Sequence, residues 1–188
     1  MIYNDEESFL SFYFWKDGKE MKTRKFFVAF FVTLMALFLI CGAAAIAEAR
    51  NFPAFSTTDI NDRVVTNAIF AENDITMVYF WATWCPACVT GVQSLAEMLE
   101  ATGGRGLVGI LIDMENRGRA QQILSSAGAA FPQLSVSAEM ETIMRSIQAV
   151  PTSIFVDSRG NIVGPTIVGA RSSQYYLNAM QAAREEAR

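Results

Sequence analysis

Residues 75–88 read Ile75-Thr76-Met77-Val78-Tyr79-Phe80-Trp81-Ala82-Thr83-Trp84-Cys85-Pro86-Ala87-Cys88, and their reading decides the fold. The first seven are apolar, β-branched or aromatic, as in a strand buried on both faces. From Cys85 the apolar period changes. Cys88, Val92, Leu95 and Leu99 are four, three and four apart, the spacing of one helix face. Gly103-Gly104 ends that helix. Two cysteines therefore sit where a buried strand hands over to a helix.

That position has chemical consequences. A helix N-terminus carries free N–H groups and partial positive charge, so a thiolate at Cys85 is favoured over one in free solution. Pro86 suits the first helical position, where its missing N–H is not needed. Cys88 lies one turn on, within reach of a disulfide. Cys85 is expected to meet solvent and attack, and Cys88 to resolve the mixed disulfide; these are the requirements of thiol–disulfide exchange. Other uses of the pair are a zinc site, a haem attachment or a structural disulfide. Zinc needs four ligands, whereas the chain has three cysteines and no histidine. Haem attachment needs a histidine after the second cysteine, and Val89 stands there. A structural disulfide suits an oxidising compartment but would close a very short loop.

Outward from the motif, Leu107–Ile112 reads as a second buried strand, Asp113–Gly118 as a polar connection, Arg119–Ala127 as a helix, and Ala138–Ile147 as another. Two apolar runs, Thr152–Val156 and Asn161–Val163, flank Asp157-Ser158-Arg159-Gly160 and predict an antiparallel hairpin. Ser172 or Ser173 caps a last helix running to about Ala187. Asn51–Phe70 is expected to be an extended arm with a turn at Asn61-Asp62. The pattern predicts an α/β domain with a mixed sheet between helices.

The chain has 188 residues and a net charge of −4. From Arg50 onward ten arginines face thirteen acidic residues, with no basic run, so no nucleic-acid partner is expected. The absence of histidine removes Ser-His and Cys-His catalysis. No metal and no cofactor beyond the cysteine pair is expected.

Lys22, Arg24 and Lys25 precede the apolar run Phe26–Ala47, and Ala43, Ala45, Ala47 and Ala49 lie at alternate positions toward its end. Basic, apolar, then small residues describe a secretory signal peptide. At about 22 residues the run is also long enough to tether the chain as a membrane anchor, and its basic flank would keep that end in the cytoplasm. In either form the domain at residues 50–188 lies outside the cytoplasm, in the bacterial periplasm or cell envelope. Cys41 follows Ile40 rather than the small residue of a lipoprotein signal, and reads as a small hydrophobe of the leader. Residues 1–20 hold five acidic residues, foreign to a signal; translation is expected to start at Met21, making residues 21–49 the leader.

Phe80–Cys88 strongly resembles the active-site segment of the thioredoxin superfamily, and Ala149–Val156 resembles that family's loop and strand with a cis-proline facing the cysteines. Within it, Phe52-Pro53-Ala54-Phe55 with Asp59, and the long separation of Cys85 from Pro151, resemble the TlpA-like extracytoplasmic disulfide reductases, which include reductases of cytochrome c maturation. The resemblance implies a thioredoxin-like fold with an N-terminal β-hairpin extension and an inserted strand and helix. It implies a cis Val150–Pro151 bond, a substrate edge at Val150, Pro151 and Thr152, and a supporting role for Trp84, Pro86 and Ala87 around the catalytic Cys85 and Cys88. A protein disulfide would be the substrate and a membrane thiol carrier the electron donor. Three features depart from the pattern: Pro86-Ala87 is not the commonest dipeptide between the cysteines, Tyr79 stands where plain thioredoxins carry an acid, and Gly91 where cytochrome-maturation reductases often carry Glu. The proton acceptor for Cys88 is thereby unassigned. An oxidant that installs disulfides, a peroxidase and a redox-inactive peptide-binding module are the other readings. The peroxidase lacks the proline-threonine pattern before its cysteine, and both cysteines stand against an inactive module.

Overall fold

The structure, a computed structural model, describes residues 51–188. The leader, Cys41 and the first twenty residues lie outside the described residues. The central strand is β3 (Ile75–Trp81), with every residue buried. It pairs in parallel with β4 (Leu107–Leu111) and antiparallel with β6 (Thr152–Asp157). Outside these lie β5 (Gln133–Ser135) and β7 (Ile162–Val168), giving the sheet order β5-β4-β3-β6-β7. Burial on both faces explains why β3 and β4 read as unbroken apolar runs rather than alternating ones.

Alternate side chains of β3 serve different cores. Met77, Tyr79 and Trp81 pack with α1 (Pro86–Ala101) and α4 (Ser173–Glu186). Val78 and Phe80 pack on the other face with Phe52, Phe55, Phe70 and the short α3 (Glu141–Ser146). The α1 stripe Cys88, Val92, Leu95 and Leu99 is buried as its spacing predicted. Each such aliphatic side chain contributes roughly 1.5–3 kcal/mol on burial, and the two-sided packing holds the N-terminus of α1 at the end of β3.

Two features differ from the sequence expectation. In the N-terminal arm β1 (Ser56–Thr58) and β2 (Val64–Thr66) form the hairpin that the family resemblance implied, but residues 67–72 then leave the extended path and coil into a 3-10 turn capped by the Thr66 hydroxyl. The helix after the polar connection begins earlier, as α2 (Arg117–Ser126), behind a 3-10 turn at residues 114–116. The strand implied only by the family resemblance is β5, which runs parallel to β4. The hairpin closes its free edge: Ile60 N–H donates to the Gln133 carbonyl and Thr57 Oγ1 to the Ser135 carbonyl. Covering an edge in this way blocks stray strand pairing.

Buried aspartates organise the turns. Asp59 accepts from the N–H groups of Asn61 and Arg63 and pairs with the Arg63 guanidinium, 2.7 Å away. Asp157 does the same for Arg159 and Asn161 in the β6–β7 turn, closed by Gly160 at φ 88°. No helix among the described residues is long and apolar enough to cross a membrane.

Candidate active site

Cys85 is the N-cap of α1, and its Sγ accepts the Cys88 N–H at 3.1 Å. The cap role that Ser or Asp usually fills is thus taken by a sulfur. An N–H aimed at that sulfur stabilises negative charge on it when the pair is reduced. Here the two are joined as a disulfide, with Cα atoms 5.2 Å apart. Pro86 takes the first helical position.

The structure corrects one expectation. Cys85 does not stand open to solvent: it is 5% exposed, and Cys88 is fully buried. The Cys85 sulfur is bonded to Cys88 and lies 3.5 Å from the Val150 carbonyl oxygen. Trp84, Pro86 and Ala87 are the exposed residues of the motif, with Trp84 63% exposed.

The Val150–Pro151 bond is cis. Val150 is half-buried, while Pro151 and Thr152 are buried. The Thr152 hydroxyl donates to the Ala149 carbonyl at 2.7 Å, and the Pro151 carbonyl accepts from Gly169 N–H at 2.7 Å. Of the three residues assigned to a substrate edge, Val150 alone is brought against Cys85 with part of its surface open.

Two of the departures from the family pattern, Tyr79 and Gly91, meet in space. The Tyr79 hydroxyl donates to the Cys88 carbonyl at 3.4 Å. A Cβ on Gly91 would lie 3.0 Å from that hydroxyl and 3.1 Å from the Ala170 Cβ. Tyr79 therefore fills a notch that a glycine leaves on α1. Burial, aided by the neighbouring Tyr176, pushes the Tyr79 phenol well above its ordinary range, so it stays protonated and cannot serve as the missing base.

Two further polar residues support the site and were not singled out from sequence. Asp113, at the end of β4, accepts from the Thr83 N–H at 3.0 Å and from the Thr83 hydroxyl. Gln133 accepts the Trp81 indole N–H at 2.7 Å, passing over Gly109, where a Cβ would overlap its amide. The signal for Asp113 was a lone acid ending an apolar strand; for Gln133 there was none. Among the described residues no cluster of His, Cys, Asp and Glu could hold a metal ion.

The AhpC/TSA family model matches residues 49–164. The fold is similar to that of a thiol:disulfide interchange protein, a thioredoxin family protein from Chlorobium tepidum (24% identity, 72% of this chain and 96% of that one, TM-score 0.60). It is also similar to a secreted Mycobacterium tuberculosis disulfide oxidoreductase described as homologous to E. coli DsbE (19%, 68% and 95%, TM-score 0.55). StoA from Bacillus subtilis gives 19%, 68% and 96%, with a TM-score of 0.53. At these identities the likeness establishes the thioredoxin-like fold. No curated protein matches the chain.

Proposed function

The chain belongs to the AhpC/TSA family of thioredoxin fold, and from that premise we propose that it is a thiol–disulfide oxidoreductase that reduces protein disulfides through Cys85 and Cys88. The observation that carries the reading is the Cys85–Cys88 disulfide at the N-terminus of α1, with the Cys88 N–H directed at Cys85 Sγ.

In the reduced chain the Cys85 thiolate attacks one sulfur of a substrate disulfide. That S–S bond breaks, the first substrate sulfur leaves as a thiolate and takes up a proton, and a Cys85–substrate disulfide forms. Cys88 then loses its proton and attacks Cys85 Sγ, releasing the second substrate thiolate, which is protonated in turn. Two electrons have passed to the substrate, and the Cys85–Cys88 disulfide remains. Val150, beside Cys85, is the edge along which an extended substrate segment docks. A new cycle needs a thiol donor; we assign a membrane thiol carrier, since the leader places the domain outside the cytoplasm by export or by a tether at Phe26–Ala47.

The direction follows from how little stabilises the thiolate. Strong oxidants depend on a very acidic first thiol, with potentials near −120 mV against roughly −270 mV for thioredoxin. Cys85 has the helix terminus, but Pro86 and Ala87 contribute neither imidazole nor cation. A potential below about −200 mV is expected. Equilibration of the full chain with glutathione buffers tests this; a value near the strong-oxidant end makes the protein a disulfide donor instead. Reduction of insulin by the chain, absent in Cys85→Ser, separates an enzyme from an inactive peptide-binding module.

A further inference from the structure

Asp113 is 4% exposed. It stands at the N-cap of the 3-10 turn at residues 114–116, yet its side chain makes no capping bond to a backbone N–H of that turn. It reaches back instead to Thr83, accepting from the N–H and the hydroxyl, and takes a third bond from Asn116 Nδ2 at 3.3 Å. All three partners donate, the arrangement a carboxylate needs. Among the described residues no ion pair includes Asp113: the nearby Arg117 pairs with Asp62. A buried carboxylate without a cation is costly, and here it is fixed to the loop that delivers Cys85.

We propose that Asp113 is a positioning residue for the redox couple: through Thr83 it anchors the loop before Cys85 and places a buried negative charge behind the Cys85 thiol, which restrains ionisation of that thiol and keeps the dithiol reducing. The inference rests on the oxidoreductase reading above. The other groups around Cys85 do not supply this charge. Cys88 on α1 is its redox partner, β3 presents the neutral Tyr79 hydroxyl, and the loop before β6 presents the Val150 carbonyl. Glu115 beyond Asp113 and Arg171 before α4 are solvent-exposed, where water screens them.

Thr83 is two residues from Cys85, at most about 7.6 Å between Cα atoms, so the carboxylate lies on the order of 10 Å from the sulfur. A unit charge at that distance shifts a thiol by roughly 0.3 to 1.2 pH units across the effective dielectric range. Asp113→Asn is nearly isosteric: its oxygen still accepts the Thr83 N–H and its amide can donate to the Thr83 hydroxyl. Asp113→Ser is a second neutral variant, and Thr83→Val removes a hydrogen bond while keeping the charge.

The test is the pH dependence of Cys85 alkylation in the reduced full-length chain, read by peptide mapping to separate Cys85 from Cys41 and Cys88. Both neutral variants should move the Cys85 midpoint down, and Thr83→Val should leave it in place. The glutathione equilibrium of Asp113→Asn should shift toward an oxidant by up to about tenfold, about 30 mV for this couple. Unchanged midpoints in both neutral variants, or an equal shift in Thr83→Val, overturn the proposal and leave Asp113 a structural anchor, which would lower the melting temperatures of oxidised and reduced forms alike. The midpoint is read whether or not the chain reduces insulin, so failure of the insulin assay strikes the oxidoreductase reading and failure of the shift strikes Asp113.

Discussion

Replacing Gly91 by alanine should destabilise the protein, although the substitution improves helix propensity. Gly91 lies inside α1, where alanine is favoured over glycine by roughly 1 kcal/mol. Against that gain, the new Cβ would stand 3.0 Å from the Tyr79 hydroxyl oxygen and 3.1 Å from the Ala170 Cβ, both inside ordinary contact distance. Tyr79 cannot swing aside: it is fully buried in β3, with its hydroxyl on the Cys88 carbonyl. Overpacking of this kind costs about 1–3 kcal/mol, so the net effect should be a loss of up to about 2 kcal/mol. Tyr79→Phe alone gives up one long hydrogen bond and should cost no more than about 1 kcal/mol. In the Tyr79→Phe background the contact with the hydroxyl is gone while that with the Ala170 Cβ remains, and Gly91→Ala should cost less than it does beside Tyr79. The coupling between the two positions is then about 1–2 kcal/mol, within the range for residues in contact. Urea unfolding of the four proteins, followed by far-ultraviolet circular dichroism, measures it. A higher urea midpoint for Gly91→Ala alone, or additive effects, would refute the claim that the phenol and the glycine fit one another.

Cys85→Ser should abolish exchange and Cys88→Ser should accumulate mixed disulfides with substrate, visible on non-reducing gels; the opposite pattern assigns the roles the other way round. Gly109→Ala should destabilise by about 2–4 kcal/mol, because the new methyl displaces Gln133 and leaves it and the Trp81 indole buried without partners; a change below about 0.5 kcal/mol in urea unfolding would contradict this. Acid should unfold the protein through Asp59 and Asp157. Burial raises both carboxyls, but hydrogen bonds from Arg63 and Asn61, and from Asn161 and Arg159, outweigh it and hold both below the usual range. A depressed folded value contributes stability in full above the unfolded value of about 3.9, and loses it as pH falls through the folded one. Stability should fall below about pH 4, and Asp157→Asn should lower it at pH 7 while flattening that acid limb in urea titrations.

The strand–cysteine–helix unit was legible because its information is local: an apolar run long enough for β3, a proline suited to the first helical turn, and a four-three-four spacing for α1. The β6–β7 hairpin and the Ser172 cap were legible for the same reason. The strand β5 was not, since Gln133-Leu134-Ser135 is too short to carry a strand signal of its own and is held by pairing with β4 and the N-terminal hairpin.

By itself the sequence determined the chemistry: two cysteines one helical turn apart, no histidine to assist them, and a strand to deliver them. Only the tertiary structure decided what surrounds those sulfurs. The Val150 carbonyl lies 65 residues from Cys85 in the chain, Gln133 lies 52 from Trp81, and Asp113 lies 30 from Thr83. Periodicity reports which side chains are buried, because burial follows the repeat of one element. It cannot report which buried polar groups answer one another, because a hydrogen bond is met across elements whose registers are set by packing of the whole sheet.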